Sequence, residues 1–180
     1  MKCPKIQGKK IYLRNLELID VEGNYPKWFD DAEVCKYNSH EPFTKSKQDF
    51  IDYVNKVNNS KNEYVFAICD KNNNKHIGNI SIQKIDFKNK NAEIAIILGE
   101  KDYWGKGIGK EAWKLAIDFG FNALKLHRIY CGTHADNIGM QKIALYCGMK
   151  EEGRFKDSMF KNGKYSDTIH YGIINNKTKK

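Results

Sequence analysis

The chain has 180 residues, 41% of them hydrophobic, and a formal net charge of +9. This length and composition predict one domain, residues 1–180, with frayed ends at about 1–8 and 175–180. The five cysteines are scattered and form no C-x-x-C pair, which argues against a disulfide scaffold and against a zinc site. No apolar run is long enough to span a membrane, and no signal-peptide pattern opens the chain. We therefore expect a cytoplasmic protein with no membrane partner.

The first half of the chain predicts a strand, two helices and an antiparallel meander. Residues 10–16 alternate apolar and polar side chains, as a half-buried strand does. Asp20 is expected to cap a short helix interrupted near Pro26, and Thr44 a second helix beyond the loop 39–43. Three further strands joined by short polar turns, which is typical of a meander, are predicted at 63–69, 76–85 and 92–98.

The second half predicts two helices that alternate with a strand, followed by a hairpin. Asn137 is expected to open the second of these helices and Gly148 to end it. The Asn162-Gly163 pair is a strong turn signal between two strands. The predicted elements are a helix from the glycine-rich loop to about 124, a strand at 128–133, a short helix from 137 to 148, and hairpin strands at 154–160 and 165–174.

The most distinctive stretch is Tyr103–Trp113, in which three glycines alternate with Lys106 and Ile108 before a helical pattern begins. No Ser, Thr, Asp or Asn stands at the helix entrance to cap its first amide groups. Those N–H groups, the positive end of the helix dipole and the neighbouring lysines favour an anion, and glycine lets the backbone approach it. We interpret the stretch as a phosphate-binding loop. The alternative is a glycine-rich turn with solvated lysines.

Two familiar phosphate-binding motifs fit this stretch poorly. The nucleoside-triphosphate loop needs Gly where Trp104 stands, and Ser or Thr where Glu111 stands. Residues 107–112 do satisfy the G-x-G-x-x-A pattern of a dinucleotide-binding fold, and Asp136 lies at a suitable distance. That fold, however, alternates strands and helices from its first strand, and a meander precedes the loop here. Dinucleotide binding therefore remains a minor alternative.

The loop at 103–112, together with Asn137 and the helix end at 148–153, resembles the GNAT N-acetyltransferases. Within them it is most similar to the branch that includes ribosomal-protein N-terminal alanine acetyltransferases. The resemblance covers nearly the whole chain. It implies an α/β (α+β) single-domain fold with a mixed, mostly antiparallel sheet of about seven strands and about four helices, splayed between the fourth and fifth strands. It also implies acetyl-coenzyme A (acetyl-CoA) as the donor and an amine as the acceptor.

The resemblance further implies where acetyl-CoA binds. The family's loop follows a Q/R-x-x-G-x-G/A pattern and holds the pyrophosphate through backbone amides, and Trp104 takes the Gln/Arg place here. The pantetheine arm would lie along the end of the fourth predicted strand. Asn137 could instead only cap its helix, and Tyr146 could only pack in the core. The expected cofactor-binding residues are Ile97, Leu98, Gly99, Trp104, Gly105, Lys106, Gly107, Ile108, Gly109, Lys110, Asn137, Ile143 and Tyr146, with no metal site.

Transfer of an acetyl group from a thioester to an amine needs a group that takes the amine proton and a proton for the leaving thiolate. Glu93 is the catalytic candidate, because it interrupts an otherwise apolar strand. It could equally be a solvated carboxylate at a strand start. Ala144 stands where many family members have Tyr, so no proton donor is identified. His134 and Asp136 are expected near the cleft, without an assigned role.

We therefore predict an acetyl-CoA-dependent N-acetyltransferase that works by direct attack in a ternary complex. The acceptor is a protein N-terminal α-amine, or a small amine or amino sugar. A non-catalytic acyl-CoA sensor is the alternative, because the family's frequent Tyr and Ser are Ala144 and Met140 here. The basic charge argues weakly against polyamines and weakly for an anionic or ribosome-bound acceptor. We expect a monomer or homodimer without direct nucleic-acid contact. The loop 39–43 and the final hairpin should shape acceptor choice.

Overall fold

The computed structural model describes residues 5–38 and 46–176. In chain order its elements are β1 (Ile6–Gln7), β2 (Ile11–Asn15), α1 (Lys47–Asn59), β3 (Tyr64–Asp70), β4 (His76–Asp86), β5 (Asn91–Leu98), α2 (Ile108–Asn122), β6 (Arg128–His134), α3 (Ile138–Tyr146), β7 (Lys150–Lys161) and β8 (Lys164–Ile174). The strands form one eight-stranded sheet in the order β1-β2-β3-β4-β5-β6-β8-β7. The predicted α/β class is confirmed, with an eighth strand at the N-terminal edge.

Described residues within both of the predicted frayed ends take part in the fold. Ile6 and Gln7, expected within the frayed region, pair with Leu13 and Tyr12 of β2 as an edge strand. Asn175, expected in the frayed tail, is buried, and its backbone N–H donates to the His127 carbonyl at 2.8 Å. The ordered domain therefore reaches further toward both ends than we expected.

The short helix expected after Asp20 is instead two 3₁₀ turns, Leu18–Glu22 and Pro26–Phe29, because Gly23 and Pro26 interrupt an α-helix there. Asp20 lies inside the first turn, where its carboxylate accepts the Glu17 backbone N–H at 2.8 Å. The prediction that it precedes the turn as a cap is wrong.

The helix α1 has a different N-cap residue from the one predicted. Thr44 and the loop 39–43 lie outside the described residues. The N-cap of α1 is Ser46, whose hydroxyl accepts the Asp49 backbone N–H while the Asp49 carboxylate accepts the Ser46 N–H. The sequence therefore signals the helix correctly, while its capping residue lies two positions beyond the one predicted.

The predicted meander is confirmed, since β3, β4 and β5 pair antiparallel in sequence order. The predicted splay is confirmed as well, between the fourth and fifth predicted strands, which are β5 and β6. These two strands are parallel, and their pairing covers only three residue pairs, from Asn91–Arg128 to Glu93–Tyr130. Beyond Glu93, β5 runs on to Leu98 and β6 to His134. A gap therefore opens between the carboxyl-terminal halves of the two strands.

The two faces of the sheet are covered differently. α2 packs on one face through Trp113, Ala116 and neighbouring apolar residues, against the strands on both sides of the gap. On the opposite face α1 packs near β3, with Phe50 and Val54 in a second core cluster. In the described part of the chain no helix covers this second face over β6, β8 and β7. α2 therefore covers the gap from one face of the sheet.

A buried ionic cluster fixes the end of β5. Asp20 receives a bidentate hydrogen bond from the Arg14 guanidinium at 2.6 and 2.7 Å, and the His76 ring lies 3.2 Å away. The Trp28 ring packs edge-on against His76 and lies so close to Gly99 that a Cβ there would come within 1.9 Å of it. The Trp28 indole N–H donates to Glu100. This cluster therefore ties β2 and β4 to the start of the glycine loop.

The charge state of Asp20 depends on this cluster. Burial by itself would raise the pKa of the Asp20 carboxyl, but hydrogen bonds from Arg14 and His76 outweigh burial and lower that pKa well below its usual value. The unfolded chain therefore takes up this proton first as the pH falls. The ionised Asp20 carboxylate stabilises the fold fully above the pKa of about 4 that this group has in the unfolded chain. This stabilisation is lost as the pH falls toward the lower pKa that Asp20 has in the folded protein.

Asp20→Asn should lower the free energy of unfolding by roughly 3 kcal/mol at pH 7, because it leaves the half-buried Arg14 without its charged partner. This loss of unfolding free energy should be smaller by about 1 kcal/mol at pH 3, because Asp20 stabilises the wild type less at that pH. Urea unfolding at both pH values measures this. Glu22→Gln, which removes an exposed ion pair with Lys47, is the control and should cost well under about 1 kcal/mol. An equal deficit at both pH values would contradict the account.

Candidate active site

The loop between β5 and α2 has the backbone geometry of an anion-binding turn. Gly105 and Gly107 adopt the left-handed φ values 73° and 82°. Gly107 is the N-cap of α2, and no side chain caps the helix. A Cβ placed on either glycine would meet no atom within 4 Å. The first amides of α2 are therefore open to a ligand, as the phosphate-binding interpretation requires.

Gly109 has a different role from the other two glycines. It is buried, and a Cβ there would lie 2.8 Å from Cδ1 of Ile143 on α3. Glycine at this position lets the two helices approach each other closely. The structure thus gives Gly109 and Ile143, both expected as cofactor contacts, a role in packing α3 against α2. Ile108 is likewise buried in the core, beneath the loop.

The open edge of β5 presents only alternate residues to the gap. The Gly99 backbone N–H donates to the Ile77 carbonyl of β4 at 3.0 Å, so Gly99 and, two residues earlier, Ile97 direct their backbone groups toward β4. Ile96 and Leu98 therefore direct theirs toward β6. The Trp104 indole N–H donates to the Leu98 carbonyl at 2.8 Å, which ties the loop to this edge. Ile96 was missed by the sequence prediction, and strand alternation could have identified it.

Lysines from distant parts of the chain converge on the loop. The Lys10 ammonium donates to the Lys106 carbonyl at 3.0 Å, and the Lys110 ammonium lies 4.3 Å from the centre of the Tyr146 ring. Tyr146 is two-thirds exposed, so it lies on the surface and not in the core. Lys10 was missed because it precedes the loop by more than ninety residues. Together these groups give the loop a positive environment that suits phosphates.

The N-terminus of α3 is capped as the sequence predicts. The Asn137 side-chain oxygen accepts the Met140 backbone N–H at 3.1 Å, so its capping role is established. Gly148, with a φ of 84°, ends the helix in the left-handed conformation. Ala144 is fully buried, where many family members place a phenol. The proposal that Asn137 also contacts the donor remains a prediction.

Glu93 lies at the point where the two strands separate. It is the last residue of β5 that pairs with β6, opposite Tyr130, and its side chain is 20% exposed. Its carboxylate Oε2 lies 2.7 Å from the Lys84 ammonium. Its sheet neighbours Ala92 and Ile94 point into the core beneath α2, so Glu93 points to the opposite face. The carboxylate is therefore neither fully solvated nor buried in the core.

Rings from several elements line this same face. Tyr130 and His134 lie on the same face of β6, and the Tyr37 ring lies 5.4 Å from the His134 ring. His134 Nδ1 accepts the Asp136 backbone N–H at 3.1 Å, while the Asp136 side chain is mostly exposed. Of the two residues expected near the cleft, only His134 therefore turns its side chain inward.

The hairpin closes one side of this cleft. The Lys161 ammonium, near the tip of β7, is buried and donates to the carbonyls of Cys35 at 2.6 Å and Asn38 at 2.5 Å. The turn that follows has left-handed φ values at Asn162 and Gly163, as the sequence predicts. The hairpin and the segment before residue 39 are thus held together across the cleft. That the hairpin shapes acceptor choice remains a prediction.

The sequence matches the family described as acetyltransferase (GNAT) domain over residues 10–150. The chain belongs to the GNAT acetyltransferase family. It is thus an N-acetyltransferase with acetyl-CoA as its acetyl donor, and the predicted family and donor are confirmed. The dinucleotide alternative is wrong, because the meander and the gap between β5 and β6 belong to this family's fold. No described helix is long and apolar enough to cross a membrane.

Known members resemble the chain over nearly its whole length. It is 31% identical over 168 residues to the uncharacterized N-acetyltransferase p20 of Bacillus licheniformis, covering 92% of this chain and 93% of p20. A Vibrio cholerae spermidine N-acetyltransferase in complex with CoA and spermine aligns with TM-score 0.84 and 27% identity, covering 92% and 95% of the two chains. The ribosomal L7/L12 α-N-protein acetyltransferase RimL with CoA aligns with TM-score 0.86 and 19% identity, covering 95% and 98%. The last similarity concerns the fold alone.

Gly107→Ala should weaken CoA binding on the order of tenfold, because its Cβ enters the space in front of the open amides of α2. Gly163→Ala is the matched control, since Gly163 has a φ of 76° and equally open surroundings but lies in the hairpin turn. Both variants should lose about 1 kcal/mol of stability from left-handed strain. Calorimetric titration with CoA and thermal unfolding measure the two effects. Equal CoA affinity in both variants would show that the loop is only a turn.

Proposed function

We propose that this enzyme acetylates a small primary amine that enters its cleft as an ammonium ion. One observation carries the proposal: the Glu93 carboxylate, where β5 and β6 separate, already binds an ammonium, that of Lys84, at 2.7 Å. A carboxylate that binds one ammonium at this place can bind another. The aromatic rings of Tyr130 and Tyr37 on the same face suit the stem of an organic cation.

The donor is proposed to lie on the other side of the gap, with its phosphates at the loop. The amides behind Gly107 and the lysines beside it would hold the pyrophosphate. The Ile96 backbone groups and the Leu98 N–H would pair with the amides of the pantetheine arm, since the Leu98 carbonyl already accepts the Trp104 indole N–H. These residues orient the thioester toward Glu93, so that the amine and the acyl carbon meet where the strands part.

Glu93 is proposed to take the proton of the acceptor, directly or through one water. The neutral amine nitrogen then forms a bond to the acyl carbon, and the carbon–sulfur bond breaks as the thiolate leaves. The thiolate takes up a proton and is released as the free thiol, and the product is an amide. Because Ala144 is buried where relatives carry a phenol, the thiolate would be protonated by water or by the second proton that the attacking nitrogen loses as the amide forms.

The closure of the cleft favours a small acceptor. Lys161 holds the hairpin against the segment that ends at Asn38, and we propose that this contact limits the width of the entrance. The Vibrio cholerae relative acts on spermidine and was obtained with spermine, so amine acceptors fit this fold. The diffuse positive charge of this chain disfavours highly charged polyamines. We therefore place a monoamine, a diamine or an amino sugar ahead of a protein N-terminus.

A panel of acceptors, read by the released thiol, tests the proposal. It should contain alkyl monoamines, diamines, spermidine, amino sugars and peptides with a free N-terminal alanine. The highest kcat/KM is expected for a small amine that is charged at neutral pH. If peptides are the best acceptors, the acceptor is a protein N-terminus and not a small amine. CoA binding without thiol release from any amine would contradict the proposal.

Glu93→Gln tests the role of the carboxylate, because it keeps the shape of the side chain. Turnover should fall on the order of a hundredfold near neutral pH, while CoA affinity stays unchanged. The loss should shrink as the pH rises, because the amine then deprotonates without help. A pH–rate profile that parallels the wild type within about twofold would remove Glu93 from the mechanism.

A further inference from the structure

Lys84 stands at an irregularity of β4 that brings its side chain to Glu93. Gln83 lies opposite Glu93, and the register of the two strands then shifts before Asp86 pairs with Asn91. Lys84 lies in this bulge with a φ of 52°, in the left-handed region that residues other than glycine rarely adopt. A bulge redirects the side chain it contains, and bulges are frequent beside active sites. The fold thus holds a costly backbone conformation where it delivers an ammonium to the candidate base.

The ion pair is unequal in its exposure. The Lys84 side chain is 70% exposed, whereas the Glu93 side chain is 20% exposed. The hydrogen bond to Glu93 and the charge of that carboxylate raise the pKa of Lys84 above its usual value, so Lys84 carries its charge throughout the neutral range. Because one partner is solvated, the contact adds little stability and breaks easily. A second ammonium can therefore replace Lys84 at a small cost.

We propose that the Lys84 ammonium is an internal competitor that occupies Glu93 until a cationic acceptor displaces it. The inference rests on the acetyl transfer proposed above and adds a determinant of acceptor specificity. An acceptor that arrives as an ammonium ion restores the charge contact that Glu93 loses. A neutral amine makes no charge contact with Glu93, so it leaves the Lys84 contact in place. Lys84 is in this sense a positioning residue that lowers the affinity for cationic acceptors and leaves that for neutral amines unchanged.

Lys84→Met tests the competition, because it keeps most of the side-chain stem and removes the charge. With n-butylamine as a cationic probe, KM should fall two- to fivefold, the range expected for a partly exposed ion pair. The KM for acetyl-CoA should not change. Aniline, which is neutral at pH 7, should show the same KM in both proteins. Lys88→Met is the matched control, since Lys88 is exposed in the turn after β4 and the same charge is lost.

The effect should also depend on Glu93. In a Glu93→Gln background, Lys84→Met should leave the KM for n-butylamine unchanged, because the carboxylate that both ammonium groups share is gone. An unchanged or raised KM in Lys84→Met alone would overturn the inference. An equal fall in Lys88→Met, or an equal fall with aniline, would overturn it too, since either result indicates a general charge effect.

A binding measurement separates this inference from the proposed reaction. NMR titration of n-butylamine into the CoA-bound protein requires no turnover. A dissociation constant that is two- to fivefold lower in Lys84→Met supports the competition even if the wild type releases no thiol, in which case only the proposed reaction fails. Equal dissociation constants, or no saturable binding in either protein, overturn the inference whether or not the enzyme turns over.

Discussion

The separation of β5 from β6 after a single short ladder is the constraint on which the site depends. Had the pairing continued past Glu93, the backbone groups of Ile96 and Leu98 would be bonded to β6, and Glu93 would lie within a closed sheet. Because it stops, one edge of β5 is left open, and a carboxylate that is 20% exposed stands at the apex. We propose that the same break creates the donor's binding edge and the place of reaction.

The rest of the fold holds this break in position. On one face, α2 packs against strands on both sides of the gap through Trp113 and its neighbours. On the other, the ionic pair of Arg14 and Asp20, with Trp28 stacked over Gly99, fixes the end of β5. The loop glycines then divide into two kinds. Those with open surroundings leave room for a ligand, and those covered by a neighbouring side chain allow close packing.

Local chemistry was enough to predict much of the fold, because short polar turns, the Asn137 cap and the Asn162-Gly163 turn act within a few residues. What the sequence did not reveal depends on tertiary contacts. The approach of Ile143 that distinguishes Gly109 from Gly107 is set by helix packing. The pairing of Lys84 with Glu93 depends on a bulge whose left-handed residue is a lysine, for which no sequence pattern exists. The residue types therefore predicted which helix, strand or turn a position belongs to better than they predicted which distant residue it contacts.

Residue-resolved amide exchange, with and without CoA, tests the central claim most directly. If the donor's arm pairs with the open edge of β5, saturating CoA should slow exchange at Ile96 and Leu98, whose N–H groups face the gap. Ile97 and Gly99, whose N–H groups face β4, should change little, because they are already bonded there. Protection of Ile96 and Leu98 alone is the predicted result. Unchanged exchange at both residues under saturating CoA would contradict the account.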